Sequence, residues 1–141
     1  MNGIVVDASI AASWLLEVEV SETADWVIDQ IQAGVRVFVP VLWLWEITNA
    51  VFNAERRKRI DRDYRDAALD RIERLPVTIV AAPTLADLKI LRTYAEKHQL
   101  TAYDAEYLRV AKELKLHLAT QDGALIAAAR SEKVPLAQQS A

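Results

Sequence analysis

At 141 residues the chain has room for one domain, residues 1–141, and 52% hydrophobic against 26% charged residues, with three Gly and four Pro, excludes a linker or disordered tail. The absence of cysteine excludes a disulfide framework and a thiolate metal site. A net charge of −3 sets it apart from the strongly basic nucleic-acid binders, and its longest apolar stretch, residues 37–45, is interrupted by Pro40 and falls short of the ~18–20 residues of a membrane span.

Ile4-Val5-Val6 is a short apolar run that predicts a strand ending at Asp7, with helical residues from Ser9 to Leu16. No basic segment precedes an apolar one, so no signal peptide is expected and the expected location is cytoplasmic, away from membranes. Ser21 caps a second helix, with Glu22 and Asp25 in its first turn and Trp26, Val27 and Ile31 at helical spacing, stopped by Ala33-Gly34. Val35 to Val39 predicts a buried strand closed by Pro40. A third helix spans Leu42 to Arg57, and Asp61 caps a fourth that ends at Arg74, ahead of Pro76.

Val77 to Val80 predicts the third strand. Thr84 begins a helix with Leu85, Leu88, Leu91 and Ala95 on one face, and Thr101 opens another that ends near Lys115. Leu116 to Ala119 is the fourth strand, Gly123 to Arg130 the last long helix, and Val134-Pro135-Leu136 a short edge strand, where Pro is tolerated. Apolar strands separated by helices predict an α/β fold: a mostly parallel central sheet of about four to five strands with helices on both faces. Ligands of such sheets bind beyond the carboxyl ends of the strands.

That rule draws attention to four acids. Asp7 follows the first strand and Asp122 the fourth, each with a hydroxyl two residues away, Ser9 and Thr120, on the same side of an extended backbone. Capping explains either Asp alone, and Thr101-Ala102-Tyr103-Asp104 matches a capping box that explains Asp104 as well. Glu46 resists that account. It sits in an otherwise apolar helix and forms one stripe with Asn49 and Asn53, at i, i+3 and i+7, which faces either solvent or a cleft. Gathered together, such carboxylates repel by roughly 4 kcal/mol per pair at about 4 Å in an effective dielectric of about 20. A hard divalent cation, Mg²⁺ or Mn²⁺, is the natural counter-charge, because it takes oxygen ligands and serves phosphate chemistry. Arg56, Arg57, Lys58 and Arg59 open a basic run to Arg65 that either contacts an anionic partner or forms a solvated face paired with Asp61, Asp63 and Asp66.

Val-Val-Asp7-Ala-Ser9, Trp-Glu46-Ile-Thr-Asn49-Ala-Val, Leu-Thr-Ala-Tyr-Asp104-Ala and Leu-Ala-Thr120-Gln-Asp122-Gly-Ala-Leu together resemble the four acidic motifs of the PIN-domain ribonucleases. Within them, size and layout resemble the VapC toxins of type II toxin–antitoxin pairs. The resemblance spans the whole chain and implies a PIN-like single domain with endoribonuclease activity. It implies that Asp7, Glu46, Asp104 and Asp122 hold one or two Mg²⁺ or Mn²⁺ ions for a two-metal-type hydrolysis of RNA to 5′-phosphate and 3′-hydroxyl ends. Ser9, Asn49 and Thr120 would orient the carboxylates or a metal-held water. It further implies a homodimer blocked by a cognate VapB-like antitoxin, whose groove some of Trp14, Trp26, Trp43 and Trp45 would line, although core packing also accounts for each.

His98, placed after a helix, and His117, within a strand, read as packing or surface groups, and the hydrolase elbow, zinc, P-loop and dinucleotide motifs are absent. The alternatives are a receiver-like Mg-binding switch, which lacks an acceptor Asp because the third strand runs into Ala81-Ala82-Pro83, and a catalytically silent Mg-binding interaction domain.

Overall fold

The computed structural model describes residues 1–16 and 21–138. Its sheet consists of β1 (Ile4–Val6), β2 (Val37–Val39), β3 (Val77–Ile79) and β4 (His117–Ala119), in the order β3-β2-β1-β4 with every pairing parallel. The receiver-like alternative loses ground here, because that doubly wound fold orders its strands 2-1-3-4-5. Side chains alternate between faces of a strand, so the complete burial of Ile4, Val5 and Val6 means that β1 is covered on both sides. β1 lies between β2 and β4, with Ile4 opposite both Val37 and His117.

The helices are α1 (Ala8–Leu15), α2 (Glu22–Gln32), α3 (Leu42–Arg56), α4 (Arg62–Glu73), α5 (Leu88–His98), α6 (Ala102–Glu113) and α7 (Gly123–Ser131). α1 packs on α2 and α3, and α3 on α4; α6 packs on α5 and α7. Their starts are chemical. Ser21 Oγ accepts the Ala24 N–H at 3.1 Å and Asp61 Oδ1 the Tyr64 N–H at 2.8 Å, satisfying donors that the first turn leaves unpaired. α2 stops before Gly34, whose φ of 98° suits a residue without Cβ.

Three expectations change. Thr84 opens a 3-10 turn, Leu85–Asp87, with a capping box in which the Asp87 carboxylate accepts the Thr84 N–H at 2.8 Å, and α5 itself starts at Leu88. No residue of α5 is fully buried, so the face expected to meet the core is only half covered: Leu91 and Ala95 are half-buried where α5 packs on α6, whereas Leu85 and Leu88 are exposed. The segment Val134–Leu136 contributes one parallel bridge, Leu118 to Leu136, rather than a strand, since Pro135 has no N–H with which to extend the ladder. The tryptophans divide: Trp43 is fully buried, Trp14 and Trp26 pack partly buried against the core, and Trp45 is 63% exposed.

Candidate active site

The acid pattern is set by the carboxyl edge of the sheet. Asp7 leaves β1 and caps α1, its Oδ1 accepting the Ile10 N–H at 3.2 Å and the Ser9 hydroxyl at 2.6 Å, while Oδ2 accepts the Thr120 hydroxyl. Thr120 follows β4, and its hydroxyl oxygen accepts the Asp122 N–H at 3.0 Å. Asp122 in turn caps α7, its Oδ2 accepting the Leu125 N–H at 2.9 Å. Capping and clustering are therefore both true of Asp7 and Asp122: each cap leaves a carboxylate at the strand ends.

Asp104 differs. Thr101 Oγ accepts its N–H at 3.1 Å, but the return bond that would complete a capping box is not formed. Burial pushes the Asp104 carboxyl above its usual range and the Asp122 charge pushes it further, against the Thr101 hydroxyl, which lowers it. Burial does the same to Asp7, against the pull of the hydroxyls of Ser9 and Thr120 and the Ile10 N–H, and Asp104 adds to it. Glu46 is also raised, by burial first, with the Tyr107 hydrogen bond opposing it and the charges of Asp104 and Asp7 adding. Asp104 is thus the acid that feels, or is felt by, each of the other three.

Among the described residues no Lys or Arg pairs with any of the four. As the side chains stand, no three of the described acids close round a single ion. The donor chemistry nevertheless fits Mg²⁺ or Mn²⁺: an oxygen-only set, repulsive when empty, is suited to a cation that keeps several waters and takes one or two carboxylates directly. A Cys- or His-bound zinc would not suit it.

A family model for the PIN domain matches residues 4–131. The chain belongs to the PIN domain family. PIN domains are generally nucleases, and the four motifs that suggested the family all lie within the matched span. No curated protein matches the chain. Among solved structures, PAE2754 from Pyrobaculum aerophilum is 26% identical with a TM-score of 0.67, the match covering 89% of this chain and 84% of that one. FitAcB from Neisseria gonorrhoeae is 19% identical, with a TM-score of 0.64 over 94% of this chain and 95% of that one, and shows the same fold.

Within this PIN domain the three polar residues expected around the acids divide. Ser9 and Thr120 both bond Asp7, whereas Asn49 is exposed and lines a cavity of about 470 Å³ with Glu46, Leu42, Trp45 and Tyr103. Sequence reasoning missed Tyr107, whose buried hydroxyl donates to Glu46 Oε1 at 2.7 Å. Its signal was the i+3 spacing from Asp104, which puts both on one face of α6. Gln121 was also missed; its amide donates to Ser13 Oγ at 3.0 Å and its N–H to Ser9 Oγ at 3.3 Å.

Arg65 takes both oxygens of Glu55, at 2.9 and 3.0 Å, and Asp66 at 2.9 Å, whereas Asp61 is used as a cap. Arg56 lies over the Phe52 ring at 6.0 Å, and Arg57 and Lys58 are exposed. Arg57 and Arg59 line a second cavity, of about 190 Å³, with Asn53, which continues the Glu46–Asn49 stripe of α3. His98 ends α5 rather than following it, and meets Glu132 at 2.7 Å, outside the site.

Proposed function

We propose that this PIN domain is a metal-dependent endoribonuclease, the toxin half of a cytoplasmic toxin–antitoxin pair. What supports the reading is the set Asp7, Glu46, Asp104 and Asp122: carboxylates whose charges act on one another, three of them raised first of all by burial, with no cation among the described residues in a pair with any of them. One or two Mg²⁺ or Mn²⁺ ions held there would supply an activated water and charge neutralisation for in-line hydrolysis at phosphorus, leaving 5′-phosphate and 3′-hydroxyl ends. Ser9 and Thr120 fix Asp7 by one hydroxyl on each oxygen, and Tyr107 fixes Glu46, so two acids arrive already oriented. Asn49 lines the same cavity as Glu46, so its amide would meet the RNA there.

From Glu46 to Arg57 the α3 stripe runs about 16 Å, a track from acids to the basic run along which an RNA backbone fits. In this reading Arg56, Arg57, Lys58 and Arg59 contact phosphates or the acidic face of a VapB-like antitoxin. Exposed Ile79, Leu85, Leu88 and Ile90, on β3 and around α5, are apolar surface suited to a homodimer.

The test is incubation of the purified protein with total RNA, with Mg²⁺ or Mn²⁺ and with EDTA, followed by mapping of the cut ends. Metal-dependent cuts bearing 5′-phosphates are expected, and Asp7→Ala and Asp104→Ala should abolish them. Absence of cleavage would favour the catalytically silent alternative, and cleavage that survives both substitutions would overturn the reading by taking these acids out of the reaction.

A further inference from the structure

Two aromatic side chains stand out of the surface beside the acids. Trp45 is 63% exposed and Tyr103 65%, and each immediately precedes an acid of the site, Glu46 on α3 and Asp104 on α6. They share the cavity of about 470 Å³ that Glu46 and Asn49 also line, and a neighbouring, almost wholly apolar cavity of about 330 Å³ shares Leu42, Trp45 and Tyr103. Among the described residues the ring pair in contact is Tyr94 with His98, so Trp45 and Tyr103 do not fill the cleft by packing on each other. The core does not need Trp45: Trp43, two residues earlier and about 200° round the helix, is the buried one.

Resting on the nuclease reading, we infer that the Trp45–Tyr103 cleft is a stacking subsite holding one unpaired nucleobase of the RNA next to the cleavage position. A nucleobase has flat apolar faces and a polar edge. The cleft offers two rings for the faces and the Asn49 amide, which both donates and accepts, for the edge. Continuity with Glu46 places that base within the same cavity as the acids rather than at a remote site. A paired base has both faces stacked in the helix and its edge in use, so the subsite selects single-stranded or looped RNA.

The experiment uses the full chain in EDTA, so that binding is read without cleavage, and follows tryptophan emission and, for affinity, the fluorescence anisotropy of end-labelled RNA during titration with three probes: a short single-stranded RNA, the same RNA with abasic positions, and its duplex. Quenching by the intact single strand alone is expected, and most of it should vanish in Trp45→Phe, which keeps a stacking face and should bind within about three-fold of the parent. Trp45→Ala and Tyr103→Ala should each weaken binding about ten-fold, and with Mn²⁺ present raise KM more than they lower kcat. The inference is overturned if abasic or duplex RNA binds as tightly as the single strand, or if both alanine variants bind RNA like the parent. A change of molecular mass in Trp45→Ala with RNA binding intact also overturns it, in favour of a second protein copy on these rings. Base-dependent quenching without metal-dependent cleavage supports the subsite while refuting the nuclease; cleavage that depends on Asp104 but ignores both rings does the reverse.

Discussion

Asp104 and Glu106 sit two residues apart on α6, and Glu132 lies just beyond α7, yet the three carboxylates meet opposite fates. Glu106 is the most buried, at 3% exposure, and Arg109 answers it with Nε at 2.6 Å and Nη2 at 2.9 Å. Glu132 gathers Lys97 and Lys112 at 2.9 Å and His98 at 2.7 Å, and the two lysines first of all hold it down to about 2. Among the described residues Asp104 has no such cation, and it is raised by burial and by Asp122 against the Thr101 hydroxyl. Among the described residues, counter-charges thus go to the carboxylates that tie helices together and are withheld from Asp104 and the acids whose charges act with it. Burying an unanswered carboxylate costs stability, so the Asp104 group is the expensive one, which points to a ligand rather than to the fold.

The largest expected break in that contrast comes from Asp104→Asn. Activity should fall about a thousand-fold or more, the scale of losing several kcal/mol of charge stabilisation in the transition state. Metal-free protein should melt at the same or a higher temperature, because the change removes repulsion and no completed capping box. Thermal melts with and without Mn²⁺ check both halves, and a lower melting temperature without metal would mean that Asp104 serves the fold.

Tyr107→Phe is the next step down. It removes the hydroxyl bonded to Glu46 and leaves the ring in the core, so metal affinity and activity should drop about 10- to 100-fold, as when a group that orients a ligand is lost. Titration with Mn²⁺, monitored by melting temperature, separates this from loss of folding.

How much of this was legible in the sequence follows the same division. Local signals were readable: Ser21, Asp61 and Thr101 cap the helices they were expected to cap, and the acids after β1 and β4 reach the sheet edge because strand ends put them there. Strand order was not readable, since it depends on which crossovers pack best over the whole sheet. Nor was the Glu132 hub, whose partners lie 20 to 35 residues away on two other helices. The depth of α5 was not readable either, because an apolar stripe marks a face to be covered without saying how deeply: Leu91 and Ala95 are half-buried and Leu88 is exposed.

Glu132→Gln probes the other side of the comparison. It should destabilise the protein by about 1–2 kcal/mol in urea unfolding, through weaker hydrogen bonds to three partners, two of them solvent-exposed lysines whose charge is screened. Activity with saturating Mn²⁺ should stay within about two-fold of the parent. A large loss of activity would mean that the two carboxylate centres are coupled through α6 and α7.

The smallest effect is a pH dependence in which the two centres pull in opposite directions. Glu132 is lowered from 4.5 to about 2, so its stabilisation is present above 4.5 and is lost as pH falls through that window. Asp7, Asp104 and Glu46 are raised above 3.8, 3.8 and 4.5, so the folded state holds their protons longer than the unfolded chain does, and stability falls as pH rises through and beyond those values. Metal-free protein should therefore be most stable at mildly acidic pH, with urea midpoints on the order of a few tenths molar lower at neutrality. Mn²⁺ should lift the neutral side selectively, because its carboxylate ligands must be ionised to bind it. Asp104→Asn should flatten that neutral arm without metal, whereas Glu132→Gln should flatten the acidic one. If Asp104→Asn leaves the neutral arm unchanged, the strand-end acids do not bear the unanswered charge that the nuclease reading requires.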